Sequence, residues 1–272
     1  MASHWTLNDI PWDEINPDLV DEELLETIKA AALVEANSQD YVSYLHNVFD
    51  GDESFSDAAS KWGYEERQHG DALGKWAELV DPTFSFEDSL KCFREGYSLP
   101  LDANVSVRGS RSGELVARCV VESGTCSFYS AIRDRTEEPV LKLISGYIAQ
   151  DEALHYRLFH THLKRHLNNG KLGFWQKIKI ALGRVFELED DELAYAFYSA
   201  NLQGTGADYD RKDCASAYSR RATQLYEFQH IQTAVRMILL ATDINAYGRF
   251  SNWMSKFAWW SVQRRNRRMA AA

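Results

Sequence analysis

Two stretches of this chain carry the residue types and spacing from which chemistry could be built. Lys61-Trp62-Gly63-Tyr64-Glu65-Glu66-Arg67-Gln68-His69-Gly70-Asp71 and Ile148-Ala149-Gln150-Asp151-Glu152-Ala153-Leu154-His155 each contain Glu-x-x-His. On a helix, a glutamate and a histidine three residues apart occupy neighbouring positions of one face, about 4.5 Å apart along the axis. Both pairs interrupt apolar stripes. One stripe runs Phe55, Ala59, Trp62, Glu66, His69, Leu73, Trp76, Val80, and the other runs Leu141, Ser145, Ile148, Glu152, His155, Phe159. An ionised carboxylate on an inward face costs several kcal/mol without a partner, so a core holding several needs a compensating cation. Metal is the economical compensator.

Each pair is preceded by a helix with one inward glutamate. Glu35 shares a stripe with Ile28, Ala32, Val42, Leu45 and Phe49, and Glu122 shares one with Leu115, Cys119, Cys126, Tyr129 and Ile132. Glu35 and Glu122 are 87 positions apart and Glu66 and Glu152 are 86 apart, so one helix pair is written twice with a single-residue slip. A pseudo-twofold bundle follows, with metal ligands Glu35, Glu66, His69, Glu122, Glu152 and His155. This is the ligand set of a ferritin-like di-iron or di-manganese carboxylate site. Carboxylate and imidazole suit iron or manganese rather than a thiolate-seeking metal. A lone Glu-x-x-His is commonly a solvated pair, but two copies at core positions are hard to explain that way. Glu26 and Glu114 are the substitutes for the single glutamates. Glu65 and Asp151, each just before a motif glutamate, are matched candidates to accept the second ring N–H of a metal-bound histidine. His162 and His166 lie two or more turns from Glu152 and suit core or surface roles.

The elements that must position these residues read as helices throughout. Residues 1–17 form an irregular arm in which Pro11, Trp12 and Pro17 suit packing against a body. A ferritin-like four-helix bundle spans 18–168. Its first helix is capped by Asp21 and continues to Asp50-Gly51-Asp52, the second covers 53–80, the third 113–134, and the fourth runs from Pro139 to Asn168-Asn169-Gly170. A crossover at 81–112 holds one short helix near 87–95, and its Arg108-Gly109-Ser110-Arg111 reads as loop. Residues 169–272 form additional C-terminal helices near 174–202, 212–241 and 245–268, packed on the bundle. No segment has the two-residue alternation of a strand, so the fold class is all-α.

Composition excludes several alternatives. The chain has 272 residues, 45% of them hydrophobic, enough for a sizeable core. A net charge of −10 argues against nucleic-acid binding. The start has no signal-peptide order and no apolar run reaches the length of a spanning helix, which implies a cytoplasmic protein. Cys92, Cys119, Cys126 and Cys214 form no Cys-x-x-Cys pair and are expected as reduced thiols. Against the acidic background, Trp259-Trp260-Ser261-Val262-Gln263-Arg264-Arg265-Asn266-Arg267-Arg268 is basic and aromatic. It reads either as a solvated helix end or as a docking point for an acidic carrier protein or anionic lipid headgroups, a peripheral membrane contact.

The first motif resembles the W-x-x-E-E-x-R-H-G-D signature of soluble acyl-acyl-carrier-protein desaturases, with Gln68 where that family has arginine. The second is similar to that family's I-A-x-D-E-x-x-H. The resemblance covers about the first 165 residues. It implies a di-iron centre, ligated by the six residues above, that uses O2 and reducing electrons to remove hydrogen from an unactivated fatty-acyl C–H bond, by desaturation or hydroxylation. It implies an acyl substrate on a carrier protein, a ferredoxin-like electron donor and a homodimer. It singles out Thr125, one turn after Glu122, for proton delivery, and Trp62 as the tryptophan near the metal. A dry cavity lined by Leu73, Cys126, Tyr129 and Phe159 is expected beside the metals. The third-to-fourth helix connection is shorter than in plant desaturases, so the substrate channel does not carry over. A rubrerythrin would need paired cysteines, a radical-forming reductase subunit a tyrosine where Leu73 stands, and a ferritin a more compact chain. The rival reading is a ferritin-like or rubrerythrin-like metal-binding, peroxide-scavenging protein without an organic substrate.

Overall fold

The computed structural model describes residues 4–99, 101, 103–169, 172–187 and 191–269. Among them there is no strand, and the fold is all-α. The order is α1 (Glu22–Ala36), α2 (Ser38–Val48), α3 (Glu53–Val80), α4 (Phe86–Gly96), α5 (Arg111–Arg135) and α6 (Pro139–Asn169). Then follow α7 (Phe174–Phe186), α8 (Asp191–Asn201), α9 (Arg211–Gln224), α10 (Phe228–Ala241) and α11 (Arg249–Met269). Asp21, Asp52, Ser85 and Ser110 each cap a helix by accepting from a backbone N–H in its first turn. The described part of the arm forms three short 3-10 turns, Leu7–Asp9, Trp12–Glu14 and Pro17–Leu19. Residues 1–3 and Gly170, named in the arm and the fourth-helix terminus, lie outside the described residues.

The first helix is two, a correction to the sequence reading. Asn37 (φ −84°, ψ 8°) ends α1 and starts α2. Other elements brace the break. Arg94 on α4 donates to the carbonyl of Ala36 at 3.1 Å, and the Ser38 hydroxyl donates to the carbonyl of Gly63 at 2.9 Å. Two glycines of α3 let the broken pair approach. A methyl group on Gly70 would lie 2.5 Å from the Ala36 nitrogen, and one on Gly63 would lie 2.1 Å from a Val42 methyl. The glycines that flank Glu66 and His69 therefore set how near α1 and α2 come to them.

The C-terminal helices are also more broken than their periodicity suggests. The 174–202 segment is α7 and α8, with 188–190 outside the described residues, and the 212–241 segment is α9 and α10, separated by Leu225-Tyr226-Glu227. No glycine or proline marks the second break. Leu225 and Tyr226 are packed against the core there, so burial overrides helix propensity. Arg111 is not loop: it opens α5 and donates to the carbonyls of Val48 and Asp50.

α1 and α2 pack on α3, α3 on α6, and α5 on α6, while α10 covers α5 and α8 covers α1. The apolar residues form two layers. One contains Ile28, Leu33, Leu73, Trp76, Tyr129 and Ile148, and is joined by Ala196, Phe197, Cys214 and Tyr218 of α8 and α9. The other contains Leu45, Phe55, Trp62, Leu115, Cys119 and Phe159. Along each of α3, α5 and α6 the motif residues fall between the two layers.

Asp52 ties the start of α3 to the end of α6 through Arg165 (2.6 Å) and His166 (2.9 Å). Burial acts to raise its carboxyl, yet the bonds from Arg165 and His166 hold it at about 2. Its contribution is full above the ordinary aspartate range and is lost as pH falls from about 4 through about 2. Asp52→Asn keeps the helix cap and is expected to cost about 1 kcal/mol at neutral pH, a difference that closes in acid unfolding below about pH 2. Gly70→Ala is expected to destabilise by about 1–3 kcal/mol in thermal melts, because backbone stands where the methyl must go. Gly183→Ala, with nothing within 4 Å of the new carbon, should be neutral or stabilising.

Candidate metal centre

Between the two apolar layers, Glu35 from α1, Glu66 and His69 from α3, Glu122 from α5, and Glu152 and His155 from α6 converge, all buried. They form two groups, Glu35–Glu66–His69–Glu152 and Glu66–Glu122–Glu152–His155, each offering ligand atoms within 4.8 Å of one another. Each group could hold a metal ion. Glu66 and Glu152 belong to both, so two ions would share the carboxylates of the two Glu-x-x-His motifs and each would keep one imidazole and one single glutamate.

The atoms without hydrogen-bond partners test this fit. His69 Nδ1, His155 Nδ1, both Glu122 oxygens and Glu152 Oε1 are buried and make no hydrogen bond. All belong to the cluster and lie close together: His69 Nδ1 is 3.4 Å from Glu152 Oε1 and 3.7 Å from Glu35 Oε2, and His155 Nδ1 is 3.0 Å from Glu66 Oε1 and 3.7 Å from Glu122 Oε2. Buried polar atoms are ordinarily paired, and this concentration of unpaired lone pairs fits a cation-binding set.

The other face of each imidazole is bonded in a crossed pattern. His69 on α3 meets Asp151 of α6 at 3.1 Å, and His155 on α6 meets Glu65 of α3 at 3.0 Å, both through Nε2. A ring that donates from Nε2 to a carboxylate presents the Nδ1 lone pair to a metal. Asp151 and Glu65, the residues just before the two motif glutamates, are thus each hydrogen-bonded to a cluster histidine. Burial acts to raise the Asp151 and Glu65 carboxyls, but hydrogen bonding to the histidines holds each below its usual range.

Crowding of the carboxylates is visible in their titration. Burial, then the neighbouring Glu152 charge, pushes Glu66 and Glu122 well above the carboxylate range. Burial would lower His69 and His155, but the surrounding carboxylates raise both, led by Asp151 for His69 and Glu65 for His155. Without a metal, protons substitute for the missing positive charge. Burial also pushes the Cys126 thiol up to about 11.

The Thr125 hydroxyl donates to Glu152 Oε2, beside longer approaches to the carbonyls of Val121 (3.3 Å) and Glu122 (3.4 Å). Its position therefore combines the contact to the cluster with ordinary bonding back to the helix. Two contacts escaped the sequence reading. The Tyr129 hydroxyl donates to Glu35 Oε1 at 2.5 Å, and Trp5 Nε1 donates to Asp151 at 2.6 Å while its ring lies parallel to His69 with centroids 6.0 Å apart. Tyr129 stands on the Glu122 stripe, which signals burial but not its bond. Trp5 is 146 residues from Asp151, and no local pattern announces that contact.

Other expectations land elsewhere. Trp62 packs edge-on to Phe159 in one apolar layer, with centroids 5.5 Å apart, and its buried indole N–H makes no hydrogen bond. Neither substitute belongs to the two groups: Glu114 accepts from Tyr44 and Ser106, and Glu26 pairs with Arg221. Of the four residues expected to line a cavity, Leu73 and Tyr129 are packed into one apolar layer, Phe159 into the other, and the Cys126 thiol donates to the Ala149 carbonyl. A described cavity of about 140 Å³ is lined instead by residues including Tyr41, Tyr44, Tyr97, Arg118 and Val121. His166 is held by Asp52, and His162 lies beside Arg165, away from the cluster.

If Asp151 and Glu65 orient the two imidazoles, Asp151→Ala and Glu65→Ala should each weaken Mn(II) binding by about 10–100-fold, followed by the EPR signal of the free ion, with the helical circular dichroism unchanged. Unchanged affinity in both variants would remove that role. No protein-family model matches the chain and no curated protein matches it, so the chemistry of the centre is argued from its residues.

Proposed function

We propose that this is a ferritin-like di-iron protein that uses O2 to desaturate or hydroxylate a fatty-acyl or similar apolar chain. The observation that carries the reading is the buried set of four carboxylates and two imidazoles, with five of its polar atoms lacking a hydrogen-bond partner and Thr125 bonded to one of the shared carboxylates. The likeness of the two motifs to acyl-acyl-carrier-protein desaturases supports the substrate class and places iron ahead of manganese.

In this reading Glu35 and His69 would hold one iron and Glu122 and His155 the other, with Glu66 and Glu152 available to both. The iron pair supplies the electron transfer that activates O2. The chain's own residues do the rest. Asp151 and Glu65 fix the imidazoles, Tyr129 holds the Glu35 carboxylate, and the apolar layers on both sides exclude water. Thr125 Oγ1 holds a proton against Glu152 Oε2, where it could be delivered into the site. Desaturation balances as one CH2–CH2 unit, O2, two electrons and two protons giving CH=CH and two waters. The two electrons require a donor such as a ferredoxin. A substrate carried on an acyl carrier protein and a homodimeric assembly complete the proposal.

The test is a single-turnover reaction of iron-loaded, chemically reduced protein with O2 and a pool of acyl-carrier-protein thioesters, with products read by mass spectrometry. The expected result is loss of two mass units or gain of sixteen in the acyl chain. Thr125→Val is expected to keep its iron and slow product formation about 100-fold. Rapid consumption of hydrogen peroxide with no altered acyl chain would favour the scavenger reading instead.

A further inference from the structure

α11 is the most cationic helix of an acidic chain. Arg249, Lys256, Arg264, Arg265, Arg267 and Arg268 lie on it, and no acidic residue follows Asp243 in the sequence. Setting these six aside leaves the remainder of the chain at −16, against −10 for the whole. Such a separation of charge puts a positive field on one helix.

Among the described residues the helix is held mainly along one side. It packs on α10 and α9, with Ser251 and Ser255 fully buried. At about 100° per residue, Phe250, Trp253, Phe257 and Trp260 fall on the opposite side. They are 52%, 58%, 51% and 46% exposed. Their rings meet in series, with centroids 6.1, 5.8 and 5.9 Å apart, and the Arg264 guanidinium lies 5.2 Å from the Trp260 ring centre. The result is an uninterrupted aromatic strip roughly 15 Å long. By the same helical count Arg249, Lys256, Arg264, Arg267 and Arg268 lie within or beside the strip, and all are exposed.

We infer that this face of α11 docks the protein on an anionic phospholipid bilayer. Aromatic rings in a stripe, flanked by cations on a helix that lies flat, match the boundary between headgroups and acyl chains: the rings enter the apolar side and the cations stay among the phosphates. Charge complementarity selects the occupant. A second copy would set this basic strip against its twofold image, bringing like charges together. An acidic protein would satisfy the cations but leaves four large rings without an apolar host. The inference is independent of the metal centre, and the full chain without added metal suffices to test it.

The experiment is co-sedimentation of the full chain with vesicles of phosphatidylcholine alone and of phosphatidylcholine mixed with phosphatidylglycerol. Binding is expected to the mixed vesicles only, with a blue shift of tryptophan emission, and release at about 1 M salt, where the screening length falls to about 3 Å. The triple variant Arg264→Glu, Arg267→Glu, Arg268→Glu should bind at least 100-fold more weakly, since each cation near an anionic surface is worth about fivefold. Trp253→Ser with Phe257→Ser should bind at least tenfold more weakly. Both variants change exposed side chains, and an unaltered melting curve confirms that they fold. Absence of binding to mixed vesicles, equal binding to both kinds, or full binding by both variants overturns the inference. So does a dimer in solution that Trp253→Ser dissociates without any vesicle binding, or binding to polyglutamate but not to vesicles.

Discussion

Mutual repulsion among four buried glutamates is the constraint on which the rest of the structure depends. Glu35, Glu66, Glu122 and Glu152 come from four different helices and meet, all buried, between the two apolar layers. Among the described residues no lysine or arginine forms an ion pair with them, and the two histidines turn their Nε2 atoms outward to Asp151 and Glu65. The arrangement makes physical sense when positive charge stands among the carboxylates. In its absence protons must take that place, as the raised Glu66 and Glu122 carboxyls indicate.

The surrounding fold serves to bring these groups together without opening a route for water. Gly63 and Gly70 remove side chains where α1 and α2 press on α3, and the break at Asn37 lets the first segment follow α3 past both glycines. The crossover helix α4 contributes Arg94, which satisfies the Ala36 carbonyl exposed by that break. On the other side the arm lays Trp5 against His69 and Asp151, and Gln68 donates to the Trp5 carbonyl at 2.9 Å. Segments distant in sequence are thus fastened at the layer that holds the charges.

Much of this was legible because it is written as helical periodicity. The stripes through Glu66 and Glu152 are long and regular and carry both Glu-x-x-His pairs, Glu35 and Glu122 stood on such stripes with Glu26 and Glu114 as substitutes, and Glu65 and Asp151 were marked by directly preceding the motif glutamates. Contacts between faces were not. Nothing local to Trp5 points to Asp151, and Trp62, which motif likeness sets beside the metals, lies one turn before Glu66 and falls into the apolar layer against Phe159. The helix breaks at Asn37 and at Leu225-Tyr226-Glu227 lack glycine or proline. They arise from packing and capping by other elements, which single-sequence periodicity does not record.

Anaerobic titration of the metal-free chain with ferrous ion, followed by removal of unbound metal and iron analysis, tests the central claim most directly. The account predicts two irons per chain, one for each ligand group, and loss of both when Glu66 or Glu152 is replaced by alanine. Failure to retain iron, or an unchanged content in those variants, would contradict it.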